Sequence, residues 1–212
     1  MGTLSTLFSN PWMFLVFVLV FLLTLSVHEF SHALAGHLLG DPTAERAKRL
    51  TLNPLAHVDL LGFLALITVG FGWGKPVPFN PYNLKYPRWG STMVAVAGPI
   101  SNLLFGTICA LLVRLIGPLL GPDNLLTIFL VSGAYLNFLL MLFNLIPLPP
   151  LDGSKALVAI LAAEKYRPVR EWVETKGPMV LMGLILLDIV LRLGVFSWIS
   201  TGARALLGVM IG

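Results

Sequence analysis

Residues 28–32 read HEFSH, a pair of histidines four positions apart with a glutamate beside the first. On a helix, positions i and i+4 project from one face, so the imidazoles of His28 and His32 can bind one metal ion. Glu29 then lies within reach of a water held by that ion. This combination is typical of zinc-dependent hydrolysis, in which imidazoles and a third protein ligand leave one coordination position open for water.

Four other side chains are candidates for the third ligand. His37 follows His32 by five positions and points off the shared face, so its position favours a packing role. His57 and Asp59 lie in the segment after this helix, and spacing alone leaves both open. Asp152 either caps a short helix that follows it or faces the histidines across the bundle, and the topology described below favours the second.

The composition indicates that these residues lie in a membrane protein. Of the 212 residues, 57% are hydrophobic and 11% are charged, against roughly 25% charged in soluble domains. The mean hydropathy is +0.87. We expect one membrane domain over residues 1–212, with no appended soluble domain and no cleaved signal peptide. The net charge is +4, and most basic residues are spread over two inter-helix loops without a dense cluster, which favours contact with lipid headgroups over binding to nucleic acid.

Four apolar segments are long enough to cross about 30 Å of hydrocarbon. They cover residues 11–39, 91–117, 124–146 and 178–199. Glycine and proline end the first three, as at Gly40 and Pro147. The pattern predicts an all-α membrane protein, a polytopic bundle of about four transmembrane helices. The apolar segment 60–73 is only about 14 residues long, so we expect a short β or re-entrant segment between the first two spans.

Basic residues are concentrated in loops 41–90 and 153–177, whereas the N-terminal tail and the link 118–123 have none. By the positive-inside rule, both basic loops are cytoplasmic and the N-terminus is outside. At 1.5 Å per residue, His32 lies roughly 12 Å and His28 roughly 18 Å below the cytoplasmic helix end. Asp152 lies on that same side. If residues 60–73 crossed the membrane, Asp152 and the histidines would lie at opposite faces.

Three further motifs accompany HEFSH along the chain. Residues 53–59 read NPLAHVD, residues 98–102 read GPISN, and residues 144–153 read NLIPLPPLDG. Together the four motifs resemble the site-2 protease family of intramembrane zinc metalloproteases, in its minimal form. They occur in the order typical of the family and cover most of residues 11–155, which makes the resemblance highly specific.

The resemblance implies one zinc ion per chain, bound by His28, His32 and Asp152, with Glu29 as the general base. It implies hydrolysis of a peptide bond in or near the transmembrane segment of a membrane-protein substrate, close to the cytoplasmic face, as in regulated intramembrane proteolysis. Asn144 is expected to contact the substrate or the oxyanion. The expected partners are that substrate and the lipid bilayer, without nucleic acid.

Other motif residues are interpreted as structural. Gly98, Pro99 and Asn102 of the GPISN motif are expected to shape a close helix contact and a kink rather than to take part in chemistry. The sequence departs from the family at Lys48, where glycine is frequent, and at Leu60, where proline is frequent. These departures affect the expected turn geometry and leave the ligand set unchanged.

Overall fold

The computed structural model describes residues 9–69 and 72–212. Within these residues the chain consists of α-helices joined by loops and short 3-10 turns, without a β-strand, so the predicted all-α class is confirmed. The α-helices are α1 (Pro11–Leu38), α2 (Thr43–Arg46), α3 (Leu60–Val69), α4 (Gly90–Leu120), α5 (Leu125–Asn144), α6 (Gly153–Ile160), α7 (Arg167–Leu191) and α8 (Ser197–Ile211).

Helices α1, α4 and α5 are long and apolar enough to cross a membrane, with 28, 31 and 20 residues. They correspond to the first three predicted spans. Asn10 fixes the start of α1, because its side chain accepts a hydrogen bond from the N–H of Met13, and Pro11 occupies the first turn. Gly40 and Gly121 follow α1 and α4 with φ of +101° and +83°, a backbone conformation that glycine adopts without strain.

Small residues allow these helices to approach closely. Helix α4 packs against both α1 and α5, and α8 packs against α5 and α4. A Cβ added at Gly106 of α4 would lie 2.8 Å from Cε1 of Phe138, and one added at Gly133 of α5 would lie 3.3 Å from Sγ of Cys109. Contacts of this kind are the usual way in which membrane helices pack.

The fourth predicted span, residues 178–199, falls on α7 and the turn after it. Helix α7 begins at Arg167, well before Pro178, and it ends at Leu191, followed by Arg192 in a left-handed conformation with φ of +52°. In the part of the chain that the structure describes, three helices are long and apolar enough to cross a membrane. The count of four spans therefore stays a prediction.

The short apolar segment forms α3, whose 10 residues extend over about 15 Å and cannot cross a bilayer. The segment also folds back on itself. A Cβ added at Gly62 would lie 2.1 Å from the carbonyl oxygen of Trp73, and one added at Gly72 would lie 2.4 Å from that of Gly62. Its two ends therefore lie against each other, as those of a re-entrant segment do. The nearest β pairing is an isolated bridge between Val58 and Gly74, so the β part stays a prediction.

The loop between α1 and α4 is attached to the end of α1 by Asp41, which is 1% exposed. Its carboxylate accepts hydrogen bonds from the N–H and hydroxyl of Thr43, from Nδ2 of Asn83, and from the N–H of Asn80 at 2.6 Å. Burial raises the pKa of Asp41, but these hydrogen bonds outweigh it and hold the pKa below 3.8. The ionised carboxylate thus binds three residues of the loop, Thr43, Asn80 and Asn83, to the end of α1.

Replacing Asp41 with asparagine is expected to destabilise the fold by about 1–3 kcal/mol near neutral pH, because an amide N–H would then face a donor. The contribution of the carboxylate is present above pH 3.8 and is lost as the pH falls through the lower pKa of the folded state. The difference in Tm between wild type and Asp41→Asn should therefore be largest near neutral pH and shrink below 3.8. A difference that stays constant over this range would contradict the role.

Candidate metal and active site

Helix α1 carries His28, Glu29 and His32, which are buried with 5%, 8% and 9% of their surface exposed. Because the two histidines are about one helical turn apart, both imidazoles leave the same face of the helix. Their Nε2 atoms lie 3.0 Å apart, and the rings meet edge to face with centroids 4.5 Å apart. The geometry predicted from the HEFSH spacing is present.

Asp152 reaches the two histidines from the proline-rich turn between α5 and α6. Its Oδ2 lies 3.3 Å from Nε2 of His28 and 3.4 Å from Nε2 of His32. The turn is compact, since a Cβ added at Gly153 would lie 2.3 Å from the carbonyl oxygen of Leu145. Among the described residues, these three form the one group of His, Cys, Asp or Glu whose ligand atoms all lie within 4.8 Å of one another.

The donor set fits a zinc ion. Oδ2 of Asp152 is buried without a hydrogen-bond partner among the described residues. Burial raises the pKa of Asp152, but imidazoles that carry a proton toward the carboxylate outweigh it through hydrogen bonds and charge and lower the pKa to about 2, so the carboxylate is ionised at neutral pH. The two imidazole nitrogens and the carboxylate oxygen lie 3.0–3.4 Å apart, which fits ligands at about 2.0 Å from one tetrahedral zinc ion. Two histidines and one carboxylate, with a fourth position left open, make a known type of catalytic zinc site.

Helix α4 supports both imidazoles through residues spaced four apart. The carbonyl oxygen of Val94 accepts a hydrogen bond from Nδ1 of His32 at 2.8 Å, and Oδ1 of Asn102 lies 2.6 Å from Nδ1 of His28. Gly98 lies between them, where an added Cβ would be 2.5 Å from Cε1 of His32. The packing role expected for the GPISN motif did not include this direct contact with the histidines. The spacing of Gly98 and Asn102 on one helix face was the available signal.

Glu29 is held by the loop between α1 and α4. Its Oε2 accepts a hydrogen bond from the backbone N–H of Val77 at 3.1 Å. Glu29, Asp152 and both histidines line a cavity of about 520 Å³ whose walls are mostly apolar. Asn144 lines the same cavity, and its Nδ2 donates to the carbonyl oxygen of Leu140. The predicted contact of Asn144 with a substrate stays a prediction.

The other ligand candidates lie outside the donor group. His57 is fully buried; its Nε2 donates to a loop carbonyl oxygen, and its Nδ1 accepts from Nη2 of Arg49. Asp59 accepts a hydrogen bond from a backbone N–H at the start of α3. Nδ1 of His37 lies 3.1 Å from Oε2 of Glu45. The contacts of all three residues are structural.

Arg49 connects the NPLAHVD segment to the loop that holds the general-base candidate. Its guanidinium donates to the carbonyl oxygens of Lys75 and Pro76. Burial lowers the pKa of Arg49, and the negative charge of Glu29 partly offsets this shift. The neighbouring Lys48 has a left-handed φ of +56°, which is consistent with the glycine frequent at this position in the family. The second motif thus positions the loop against Glu29.

Comparison with known proteins agrees with the arrangement of the site. The model of peptidase family M50 matches residues 120–187, which include Asp152. A Bacillus subtilis (strain 168) protein named "Putative zinc metalloprotease YwhC" is 37% identical over 149 residues, or 66% of this chain and 66% of that protein. "Putative zinc metalloprotease Rip2" of Mycolicibacterium smegmatis is 33% identical over 171 residues, or 74% of this chain and 64% of that protein. The chain belongs to peptidase family M50.

Family M50 is the site-2 protease family, so the family predicted from the motifs is confirmed. Membership in it, together with three helices able to span a bilayer, makes the chain a multi-pass membrane protein. The matches cover 66% and 64% of these two relatives, just under two thirds of their length. No solved structure gave a significant match.

Proposed function

We propose that this M50 member is an intramembrane zinc endopeptidase. His28, His32 and Asp152 hold the zinc ion, and Glu29 is the general base. The observation that carries the proposal is the convergence of three metal-donor atoms in a mostly apolar cavity that Glu29 also lines. Both histidines and Glu29 lie on a helix long enough to cross a membrane. Ionisable groups are costly inside a membrane and are retained where they serve a function.

Zinc bound at this site would polarise the scissile carbonyl and lower the pKa of a bound water. Glu29 accepts the proton of the attacking water and then donates it to the leaving nitrogen, which completes hydrolysis of the peptide bond. The N–H of Val77 fixes Oε2 of Glu29, so we assign the proton transfer to Oε1. The loop therefore aims the carboxylate before a substrate binds.

The proposed substrate is a membrane protein, cleaved in or near its transmembrane segment. The mostly apolar cavity suits such a segment, which must unwind locally to expose a carbonyl. An extended peptide gains stability by pairing with an edge strand. Pro76 and Pro78 have no N–H, and the N–H of Val77 is bonded to Glu29, so residues 76–78 can offer a substrate carbonyl oxygens only. Asn144 remains our candidate for contact with the substrate or the oxyanion.

We place the cleavage close to the cytoplasmic face, as in regulated intramembrane proteolysis, with the N-terminus outside. The lysines and arginines of loops 41–90 and 153–177 support this orientation. The contact of Gly62 with Trp73 supports it as well, because a segment whose ends touch leaves its flanking residues on one side. Residues 1–8 of the uncharged N-terminal tail lie outside the described residues.

Metal analysis of the purified protein tests the proposal. Wild type is expected to retain one zinc ion per chain after dialysis. Asp152→Asn removes an anionic ligand and is expected to weaken zinc binding by more than about 100-fold, beyond the loss typical of residues outside the ligand set. Asp123→Asn, in the exposed link between α4 and α5, is the matched control and should bind like wild type. Wild type without bound zinc, or Asp152→Asn with unchanged affinity, would contradict the proposal.

A further inference from the structure

Three polar side chains lie deep in the helix bundle beside the donor group. They are Thr24 on α1, Asn102 on α4 and Asn137 on α5; both asparagines are fully buried and Thr24 is 1% exposed. Burying a polar group away from water costs free energy unless its donors and acceptors are paired. Here the three side chains form a chain of hydrogen bonds that ends at His28.

The carbonyl oxygen of Gly133 fixes the direction of this chain, because a carbonyl oxygen can only accept. It lies 2.8 Å from the amide nitrogen of Asn137, and the same Nδ2 donates to Oγ1 of Thr24 at 2.9 Å. Both hydrogens of that NH₂ group are thereby used. Oδ1 of Asn137 must then face Asn102, and it accepts a hydrogen bond from Nδ2 of Asn102 at 2.8 Å.

The orientation of Asn102 decides which nitrogen of His28 carries the hydrogen. Oδ1 of Asn102 faces Nδ1 of His28 at 2.6 Å, and an amide oxygen can only accept. Nδ1 of His28 must therefore be the donor. A neutral imidazole has one N–H, so Nε2 presents its lone pair toward Asp152, as a metal ligand requires.

His32 obtains the same tautomer in a simpler way. Its Nδ1 donates to the carbonyl oxygen of Val94, a backbone group that any residue type would supply equally. The tautomer of His28 instead depends on two asparagine side chains from two other helices. This series of hydrogen bonds starts on α1 at Thr24 and returns to α1 one turn later at His28. Helices α4 and α5 together therefore fix the rotation of this part of α1.

We propose that Asn102 and Asn137 are positioning residues that hold His28 in its metal-binding tautomer and orientation. The inference rests on the proposed function, since it assigns both residues a role in zinc binding. Residues that fix a liganding histidine in this way typically contribute a factor of about 10–100 to metal affinity. We expect zinc affinity to fall by that factor when the side chain of Asn102 is lost. We expect a loss of Asn137 to act in the same way, because Asn137 orients Asn102.

The deciding pair of variants is Asn102→Leu and Asn102→Asp. Both keep the branched skeleton of asparagine, although leucine is larger; leucine removes the acceptor, whereas aspartate keeps an oxygen opposite Nδ1 of His28. Zinc affinity, measured by competition with a chelator, is expected to fall about 10–100-fold in Asn102→Leu and to be largely retained in Asn102→Asp. The visible absorption bands of the Co²⁺-loaded protein at saturation should shift in the first variant and match wild type in the second.

A second pair covers the case in which the Asn102 variants do not fold. Asn137→Leu leaves the amide of Asn102 free to turn over, whereas aspartate at this position still accepts a hydrogen bond from Nδ2 of Asn102. Zinc affinity should therefore fall in Asn137→Leu and be largely retained in Asn137→Asp. Thr127→Val is the control, since it removes from α5 a buried hydroxyl without a hydrogen-bond partner among the described residues. A purely structural role would lower Tm and leave the Co²⁺ spectrum at saturation unchanged.

The outcomes separate this inference from the proposed function. If folded Asn102→Leu and Asn137→Leu bind zinc as tightly as wild type and give the same Co²⁺ spectrum, the inference is wrong, while zinc binding by wild type leaves the proposed function in place. If wild type itself binds no zinc, both are wrong. Weakened affinity with a shifted spectrum in the leucine variants, and wild-type behaviour in the aspartate variants, supports the inference.

Discussion

The Glu29→Gln variant is expected to lose peptide cleavage by a factor of about 10²–10⁴ while it keeps its zinc. Glutamine has nearly the same shape, and its side-chain oxygen can still accept the hydrogen bond that Val77 donates to Oε2. It cannot accept the proton of the attacking water. The loss should therefore appear in turnover, with the metal content and Tm close to those of wild type.

Comparative proteomics of membrane fractions would measure this loss across many membrane proteins at once. A membrane protein cut in cells that express wild type, and intact in cells that express Glu29→Gln, is the expected result. Glu45→Gln is the matched control, because Glu45 is exposed and pairs with His37 away from the cavity. The same fragments from wild type and Glu29→Gln would show that Glu29 is not the base.

The Gly98→Ala variant is expected to lose both zinc and cleavage. The added Cβ would lie 2.5 Å from Nε2 of His32 and 2.6 Å from Cε1 of His28, closer than such atoms approach each other in folded proteins. Either the imidazoles must leave their positions or α1 and α4 must separate. We expect zinc affinity to fall by more than about 100-fold, because both histidine ligands are displaced together.

Gly183→Ala on α7 is the control for this substitution. Among the described residues, no heavy atom beyond the adjacent residues and the helix's own backbone lies within 4 Å of the Cβ added there, so the change should leave zinc binding intact and slightly favour the helix. Gly98→Ala and Glu29→Gln should also differ from each other, since the first loses metal and the second retains it. Normal zinc affinity in Gly98→Ala would mean that α4 does not hold the histidines as closely as the structure indicates.

The part of the site that lies on one helix could be predicted from sequence. The relation of His28, Glu29 and His32 follows from helical periodicity, because residues four apart share a face. Asp152 is different, since its spacing from the histidines left His57 and Asp59 open and the resemblance to a family was needed. The structure brings Asp152 to the histidines and gives the other two residues structural contacts.

The residues that support the ligands could not be predicted in the same way. Val94 contacts His32 through its carbonyl oxygen, which every residue type has, so no side chain marks the position. Asn137 belongs to no recognised motif, and its partners come from other helices and from a backbone carbonyl. Sequence periodicity does not show which faces of different helices meet.

The type of one helix and the start of another could not be predicted from the sequence patterns either. A brief apolar run such as residues 60–69 is compatible with a strand or a helix, because periodicity does not separate the two at this length. Pro178 was the predicted start of the last span, but it lies inside α7, which begins at Arg167 with another proline in its first turn. A proline disfavours an interior helical position without excluding it.

The two functions of α1 depend on different parts of the molecule. Its histidines are fixed by α4, whereas Glu29 is aimed by the N–H of Val77 in a loop that Arg49 and Asp41 hold in place. A disturbance confined to that loop would leave the metal bound and misalign the base. Full zinc occupancy in a preparation is therefore no measure of its active fraction, and the two quantities have to be determined separately.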